Sequence, residues 1–212
     1  MGFLKKMVDQ FKVDALIVDS AKGLLSKVEE YIRTGVNING TDSKGNSALM
    51  FAANSGKFEI VKLLLENGAN PNQRNFVEGF TPIFDAIKNG HYDIVKLLIE
   101  SGADLSVTDN QGNTPLLVSI YNNNSDQITI ALIEANSDVN YRNSLDGFYP
   151  LIASTILGNY SISKALIDYG ARKNVSDING ITPLQYATSV KNADLCKLLS
   201  EGVKTNNVLR EE

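Results

Sequence analysis

The segment from Thr81 to Asp104 reads TPIFDAIKNGHYDIVKLLIESGAD, with two apolar runs on either side of an Asn-Gly pair. Thr81 is predicted to cap a helix, because its hydroxyl can accept a hydrogen bond from a free amide of the first turn. Pro82 fits the first helical position, where its missing amide hydrogen costs nothing. The second apolar run ends at Gly102, a residue that favours the left-handed conformation closing many helices. The segment therefore predicts a pair of short helices.

The same helix-start pattern recurs along the chain at intervals of about 33 to 35 residues, the period of one class of helical solenoid. The starts are Ser47-Ala48-Leu49, Thr81-Pro82-Ile83, Thr114-Pro115-Leu116, Tyr149-Pro150-Leu151 and Thr182-Pro183-Leu184. The second half recurs at 57–70, 91–104, 128–138 and 160–172, with a degenerate first copy at 14–39 and a last copy at 177–202. Because each repeat contacts only its neighbours, the pattern predicts one continuous stack.

Two further positions recur in the same register. One is a helix end that holds residues tolerant of left-handed backbone angles, namely Gly35, Gly68, Gly102, Asn136 and Gly170. The other is a small residue in the first helix of each pair, namely Ala52, Ala86, Ser119, Ser154 and Ala187. A small side chain at this position lets neighbouring helices approach closely.

Turn-rich stretches separate the helix pairs, and we call them fingers because Asp, Asn and Gly favour tight hairpin-like turns. The fingers are residues 42–46, 75–80, 109–113, 143–148 and 177–180. The third and fifth repeats have fingers that are one residue longer, and the fourth repeat carries an extra residue within 122–126. We therefore expect the junction of the fourth and fifth repeats to be the least regular part of the stack.

The phrase T-P-L-x-x-A, followed by G-x-x-x-I-V-K-L-L-L-E-x-G-A-D-x-N at this period, resembles the ankyrin repeat. The resemblance implies an all-α solenoid of stacked helix-turn-helix units with short hairpin-like fingers. It also implies a single domain over residues 1–205, followed by a polar tail at 206–212. The six repeats are placed at about 9–41, 42–74, 75–108, 109–142, 143–176 and 177–205.

The sequence departs from the family pattern at several positions. The histidine of the usual T-P-L-H phrase is absent, and its position holds Met50, Phe84, Leu117, Ile152 and Gln185. Other contacts must therefore replace the polar ladder that this histidine supports. Asp14 is predicted to cap the first copy in place of threonine. Tyr149 cannot cap as threonine does, so we expect the fifth repeat to begin less firmly.

Composition and charge exclude several classes of function. The formal net charge is −4 and the isoelectric point is near 5.1, which argues against a nucleic-acid backbone binder and weakly against an anionic membrane surface. No apolar run has the length or flanks of a signal peptide or a membrane span, so a cytoplasmic location is expected. The single cysteine, Cys196, cannot form an intramolecular disulfide and fits a small buried position.

A search for catalytic chemistry finds no candidate. The one histidine, His91, lies at the start of a second helix, where a structural role is expected, and one His with one Cys cannot form a zinc site. No phosphate-binding G-x-x-x-x-G-K-[ST] motif occurs, and the fingers are too short for calcium loops. We therefore expect no enzyme activity, no catalytic residues, no cofactor and no metal.

The resemblance implies that a partner protein binds the finger tips and the exposed side of the first helices. The residues predicted to contact it are Phe76, Val77, Glu78, Phe80, Lys88, Asn89, Asn110, Gln111, Asn113, Tyr121, Leu145, Phe148, Ile156 and Leu157. Exposed apolar and aromatic clusters of this kind mark interaction sites. For Phe80 and Phe148 an alternative stays open, in which both rings pack between neighbouring fingers.

The function expected from these observations is a non-catalytic scaffold that binds another protein, identity unknown, through its concave face. An inhibitor or immunity protein that neutralises a toxin or enzyme fits the small acidic chain equally well. A structural homo-oligomer that uses the same apolar patch on itself is a third alternative. The chain is expected to be monomeric and to bind neither nucleic acid nor membrane.

Overall fold

A computed structural model describes residues 2–123 and 125–201, with side chains described from residue 4 onward. The helices in these ranges are α1 (Gly2–Lys22), α2 (Leu25–Arg33), α3 (Ala48–Asn54), α4 (Phe58–Glu66), α5 (Pro82–Lys88), α6 (Tyr92–Glu100), α7 (Pro115–Asn122), α8 (Asp126–Glu134), α9 (Pro150–Ile156), α10 (Tyr160–Asp168), α11 (Pro183–Ser189) and α12 (Ala193–Ser200). Within them the structure contains no strand, and one isolated antiparallel bridge joins Thr41 to Ser47. The predicted all-α repeat solenoid is therefore confirmed.

The helices fall into two compact units, Met1–Ser137 and Asp138–Glu212, which we call the first and second units. In the first unit, α1, α3, α5 and α7 pack side by side in one layer, while α2, α4, α6 and α8 form the other. In the second unit α9 packs on α11 and α10 packs on α12. The six repeat boundaries stay a prediction, and residues 124, 202–205 and 206–212 lie outside the described residues.

The helix ends follow the recurring sequence positions. The four glycines at the predicted ends have φ between 74° and 92°, and Asn136 has φ 62°, which confirms the left-handed conformation at all five. The five small residues of the first helices are each at most 3% exposed, which is consistent with close approach of the helices. The extra residue of the fourth repeat extends α7 by one residue, and Asn123 ends that helix with φ 46°.

The helix starts follow the sequence less uniformly. Ser47, Thr114 and Thr182 each accept a hydrogen bond from the amide three residues on, and Tyr149 makes no capping bond, as predicted. Thr81 has the backbone angles of a cap, but its side chain accepts no hydrogen bond. The prediction that the Thr81 hydroxyl caps α5 is therefore wrong, because this residue is 1% exposed and its Oγ1 has no partner among the described residues.

The first repeat begins with a long helix rather than with a cap at Asp14. Helix α1 runs without interruption from Gly2 to Lys22, so Asp14 lies in its interior and accepts a hydrogen bond from Gln10 Nε2 at 2.9 Å. No Pro or Gly interrupts the chain between Gly2 and Gly23, so nothing in this segment opposes helix formation. The predicted cap at Asp14 is wrong for this reason.

Neighbouring repeats are joined by an asparagine that bonds the backbone of the next repeat twice. Asn72 Nδ2 donates to the Gly102 carbonyl at 3.0 Å, and its Oδ1 accepts from the Asp104 amide at 2.8 Å. Asn39 makes the same pair of bonds within the first unit, and Asn140 makes it within the second. We call these three residues the asparagine rungs. They supply polar contacts between repeats in a chain that lacks the usual histidine.

We predict that Asn72→Ala lowers the free energy of unfolding of the protein by about 1–2 kcal/mol, because two hydrogen bonds between repeats are lost. Asn67→Ala is the matched control, since the Asn67 amide bonds only the Leu63 carbonyl of its own helix, at 2.8 Å. Urea denaturation followed by circular dichroism measures both. An equal loss in the two variants would show that the rung does not couple the repeats.

Candidate partner-binding face

The fingers of the first unit are held by hydrogen bonds inside each finger. In the finger 75–80, the Asn75 amide donates to the Phe80 carbonyl at 2.9 Å, and Asn75 Oδ1 accepts from the Glu78 and Phe80 amides. In the finger 109–113, Asp109 Oδ1 accepts from the amides of Gln111 and Asn113, both at 2.8 Å. Each tip is therefore a fixed shape that its own polar side chains maintain.

Neighbouring fingers are also bonded to each other through their backbones. The Phe76 amide donates to the Lys44 carbonyl at 2.8 Å, and the Asn110 amide donates to the Glu78 carbonyl at the same distance. The Asn110 side chain adds a bond from Nδ2 to the Val77 carbonyl at 2.7 Å. The fingers 42–46, 75–80 and 109–113 thus form one continuous edge of the first unit.

A cleft of about 430 Å³ lies between two of these fingers and the helices α5 and α7, and we call it the apolar cleft. Its lining includes Val77, Phe80, Val118 and Tyr121. The Phe80 ring stacks on the buried Phe84 ring, with 5.2 Å between centroids. This contact lies within the third repeat, but the same ring also lines the cleft between two fingers, so the alternative in which Phe80 packs between fingers stays open.

A charged side chain lies beside this cleft. Lys88 Nζ sits 4.6 Å from the centroid of the Phe80 ring, a distance at which a cation is attracted to an aromatic face. Glu78 and Asp109 also line the apolar cleft, so its hydrophobic floor is accompanied by one lysine and two carboxylates.

A second cleft of about 280 Å³ lies one repeat earlier, and we call it the polar cleft. Its lining includes Lys44, Asn54, Glu78 and Asp85. Burial raises the pKa of the Asp85 carboxyl to about 7, although a hydrogen bond with Asn54 and the charge of Lys88 oppose the shift. The nearby charge of Glu78 raises it further. Asp85 therefore changes charge near neutral pH inside a solvent-facing cleft.

Sequence reasoning missed Asp85, although a signal for it was present. The other repeats place Phe51, Val118, Ala153 and Tyr186 at the equivalent position of the first helix, and all four are largely apolar. A carboxylate at a position that is apolar in the other repeats indicates one of two things. Either the surface contacts a partner, or the charged form of the carboxylate is held there at a cost in folding free energy.

The predicted partner-contacting residues of the first unit fall in one region. Phe76 is 73% exposed, Val77 is 53% exposed and Tyr121 is 38% exposed. The other exposed members are Glu78, Lys88, Asn89, Asn110 and Gln111, and Phe80 is half-buried. Asn113 departs from the expectation of an exposed side chain, since it is 7% exposed and its Nδ2 donates to Asp109 Oδ2 at 3.3 Å.

The remaining predicted residues belong to the second unit and are described separately. Leu145 is 65% exposed on its finger, and Leu157 is 43% exposed at the end of α9. Phe148 and Ile156 are half-buried. The Phe148 ring meets the Tyr186 ring edge-on, with 6.3 Å between centroids. Phe148 therefore packs against the first helix of the next repeat.

The residues considered for catalysis have structural partners. His91 Nε2 lies 3.0 Å from the Asn54 carbonyl of the preceding repeat, so the imidazole joins two repeats. Cys196 is half-buried on α12. The part of the chain that the structure describes contains no group of three or more His, Cys, Asp or Glu side chains placed to hold a metal ion. No helix within that part is long and apolar enough to cross a membrane.

Stacked pairs of short helices, with hydrogen-bonded fingers along one edge, define a helical-repeat scaffold that binds other proteins. A family model described as ankyrin repeats, in three copies, matches residues 16–109, 78–143 and 116–208. The chain therefore belongs to the ankyrin-repeat family.

Curated relatives match over most of this chain. An ankyrin repeat protein of fowlpox virus is 31% identical over 166 residues, which is 76% of this chain and 49% of the relative. The palmitoyltransferase ZDHHC13 of Homo sapiens is 34% identical over 204 residues, which is 96% of this chain and 33% of the relative. The chain thus spans about half of the first relative and about a third of the second.

Two solved structures match over nearly their full length. An ankyrin repeat domain from Acinetobacter baumannii AYE has a TM-score of 0.81 at 29% identity, covering 87% of this chain and 95% of that chain. A chain in the complex of a predatory endopeptidase from Bdellovibrio bacteriovorus with an immunity protein has a TM-score of 0.76 at 30% identity. That match covers 89% of this chain and 97% of the other.

We predict that Asp85→Asn stabilises the protein at pH 8 and changes its stability little at pH 4. Because the folded-state pKa of about 7 lies above the usual 3.8, the stability contributed by protonated Asp85 is complete below 3.8 and is lost as pH rises through 7. The variant should therefore be more stable than the wild type at pH 8, by on the order of 2–4 kcal/mol.

Urea denaturation at several pH values measures this difference. Asp93→Asn is the matched control, because it makes the same charge change at an exposed position on α6. A difference between wild type and Asp85→Asn that stays constant from pH 4 to pH 8 would contradict the burial of an ionisable carboxyl at this site.

Proposed function

We propose that the protein binds a partner protein through the finger edge and the apolar cleft of the first unit, with the exposed finger of the second unit as a further contact. The supporting observation is that Phe76 and Val77 lie largely exposed on a finger whose polar groups hold its shape. The exposed part of these two apolar side chains gains no burial from the fold of the chain, so a binding role accounts for it. Aromatic residues of this kind contribute much of the energy at protein interfaces.

The rigidity of the finger edge favours binding. Backbone bonds from Lys44 to Phe76 and from Glu78 to Asn110 fix the spacing of the three fingers before any partner arrives. A surface that is ordered in advance loses little conformational entropy on association. Such a partner presents an apolar side chain to the floor made by Phe80 and Tyr121, with polar groups meeting the rim.

The face is tested with two pairs of polar substitutions, one in each unit. Phe76→Ser with Tyr121→Ser removes the apolar surface of the first unit, and Leu145→Ser with Leu157→Ser removes that of the second. Affinity capture from the native lysate, with mass-spectrometric identification, compares both variants with the wild type. We expect the first pair to abolish retention of a specific protein and the second pair to weaken it.

The matched control is Phe58→Ser with Tyr169→Ser, which removes two exposed aromatic rings, one at the start of α4 and one just after α10, 37% and 52% exposed respectively. Circular dichroism confirms that helicity is intact in every variant. Equal retention by the wild type and the first pair would contradict the assignment of the face, and loss of retention in the control pair would move the site to the second helices.

An inhibitor or immunity role is the second candidate. The observation that favours it is the similarity to a chain in the endopeptidase and immunity-protein complex, at 30% identity over 89% of this chain. The net charge of −4 fits the same role. Under this proposal the partner is an enzyme or toxin whose active surface the finger edge covers, and the chain acts without catalysis of its own in the cytoplasm.

Co-expression with a toxic product of a neighbouring gene separates the two candidates. We expect an immunity protein to restore growth, and the variant with Phe76→Ser and Tyr121→Ser to lose that rescue. The variant with Phe58→Ser and Tyr169→Ser should retain it. Failure of the wild type to restore growth would leave the general scaffold as the function and exclude neutralisation of that toxin.

A further inference from the structure

The polar cleft lies beside the apolar cleft, and the two share part of their lining. Glu78, Phe80 and Lys88 line both, so a partner segment that fills the apolar cleft lies next to the polar cleft. The proposed function gives a role to the apolar cleft only. The polar cleft, of about 280 Å³, is lined mainly by polar and charged residues, so it suits a different kind of side chain.

Asp85 is the most enclosed charged group of the polar cleft. Its side chain is half-buried, whereas Lys44, Glu78 and Lys88 are exposed. Water and dissolved salt screen exposed charges strongly, and they screen a partly buried charge much less. The electrostatic potential inside the cleft is therefore set more by the Asp85 carboxylate than by the lysines at its rim.

The surroundings of Asp85 compensate its negative charge incompletely. Burial raises the pKa of the carboxyl to about 7, and the charge of Glu78 adds to this shift. A hydrogen bond with Asn54 and the charge of Lys88 oppose it without cancelling it. A carboxylate whose counter-charge is sufficient normally has a lowered pKa. The protein therefore presents a carboxylate in this cleft that a further cation would stabilise.

The side-chain amides of the cleft already donate within the fingers. Asn75 Nδ2 donates to Asn46 Oδ1 at 3.0 Å and to Glu78 Oε2 at 2.8 Å. Asn46 Nδ2 donates to Asp42 Oδ2 at 3.0 Å. An ionised carboxylate can accept about four hydrogen bonds, so Glu78 and Asp85 keep room for further donors. A side chain that fits this cleft must therefore donate several hydrogen bonds.

An aromatic ring forms another wall of the same cleft. Phe51 is half-buried and occupies the position on α3 that Asp85 occupies on α5, and these two helices pack side by side. A guanidinium group is planar, carries five N–H donors and stacks on aromatic rings, whereas a lysine ammonium is a compact charge with three donors. A half-buried ring beside a half-buried carboxylate therefore suits arginine better than lysine.

We propose that the polar cleft receives an arginine side chain of the partner protein, whose guanidinium stacks on Phe51 and donates to the Asp85 carboxylate. This inference rests on the proposed function, in which the same partner fills the apolar cleft. Helices packed side by side lie about 10 Å apart, a distance that about three residues of extended chain span. The partner therefore presents an arginine and an apolar residue about three positions apart.

An acidic side chain is the competing occupant, because Lys44 and Lys88 also line the cleft. Such a side chain would lie beside the carboxylates of Glu78 and Asp85, and like charges at close range repel each other. Recognition of an acid by the two lysines would also give no reason for a carboxylate at position 85, where the other repeats are largely apolar. The arrangement therefore favours the basic partner.

A library of random peptides displayed on phage, selected on the immobilised full chain at pH 8, tests the inference. We expect peptides selected by the wild type to carry an arginine and an apolar residue about three positions apart. Asp85→Asn should select the apolar residue without the arginine. Asp93→Asn makes the same charge change on α6 outside the cleft and should select both.

The affinity of one selected peptide, measured by isothermal titration calorimetry, gives the size of the effect. At pH 8 the peptide should bind Asp85→Asn at least about tenfold more weakly than the wild type, because a charged partner of the arginine is lost. Replacement of the arginine in the peptide by lysine should also weaken binding to the wild type. Asp85→Asn is expected to be more stable than the wild type at this pH, so weaker binding does not report unfolding.

The same peptide should bind the wild type about tenfold more tightly at pH 8 than at pH 6, since the ionised fraction of a carboxyl with a pKa of about 7 rises by that factor. The other charged groups lining the cleft are Lys44, Glu78 and Lys88, and neither α3 nor α7, which flank α5, contains a charged residue. The charged residues of α6 line a different cleft, namely Asp93, Lys96 and Glu100.

His91 is the remaining group that bears on this pH dependence. It bonds the Asn54 carbonyl, and histidine side chains can change charge near neutral pH. Asp85→Asn separates the two groups, because it removes the titration of position 85 and leaves His91 in place. A pH dependence that survives unchanged in Asp85→Asn belongs to His91 and overturns the role given to Asp85.

The outcomes distinguish this inference from the proposed function. Selection of apolar residues without arginine, or of lysine as often as arginine, overturns the inference and leaves the proposed function in place. Selection of acidic residues assigns the cleft to its lysines and also overturns it. Arginine peptides that need Asp85 but bind the variant with Phe76→Ser and Tyr121→Ser unchanged would support the polar cleft and contradict the apolar one. A wild type that selects no peptide contradicts both.

Discussion

The hydrogen bonds that an asparagine side chain makes to the backbone of the next repeat set the spacing of the stack. Asn39, Asn72 and Asn140 each donate to one backbone group and accept from another two residues later, so the amide fits a single relative position of two repeats. Apolar burial between helices is strong but not directional. The asparagine rungs add the direction at these three junctions, while the third repeat has Ser106 at the equivalent position.

The hydrogen bonds of the fingers and the apolar side chains of the clefts belong to the same stretches of backbone. Asn75 and Asp109 bond the amides of their own fingers, and Asn110 bonds the neighbouring one. On the finger 75–80 the side chains of Phe76 and Val77 remain largely exposed, although the Phe76 ring also lies against Gly45 of the preceding finger. A scaffold of this kind can change the residues it presents without changing the backbone that presents them.

The period of the repeat, the helix ends and the small buried residues could be predicted from sequence, because each depends on local backbone preference repeated in register. The two capping predictions, for Thr81 and Asp14, are wrong because capping depends on the surroundings of the residue in the folded chain as well as on its type. The Thr81 hydroxyl is buried where no donor reaches it, and Asp14 lies in a helix that extends well upstream. Asp85 was visible as a carboxylate in an apolar position, but its raised pKa follows from burial that only the packed repeats create.

The contact between His91 and the preceding repeat limits how far the array is modular. The imidazole bonds the Asn54 carbonyl and lies so close to Gly56 that a β-carbon there would be 2.7 Å from His91 Cε1. A repeat copied from elsewhere and inserted between these two would have to bring both a glycine and a histidine at matching places. When such an array grows by duplication, the two surfaces that meet at a junction must therefore be kept together. The unit that can be copied without further substitutions is the junction between repeats rather than the single repeat.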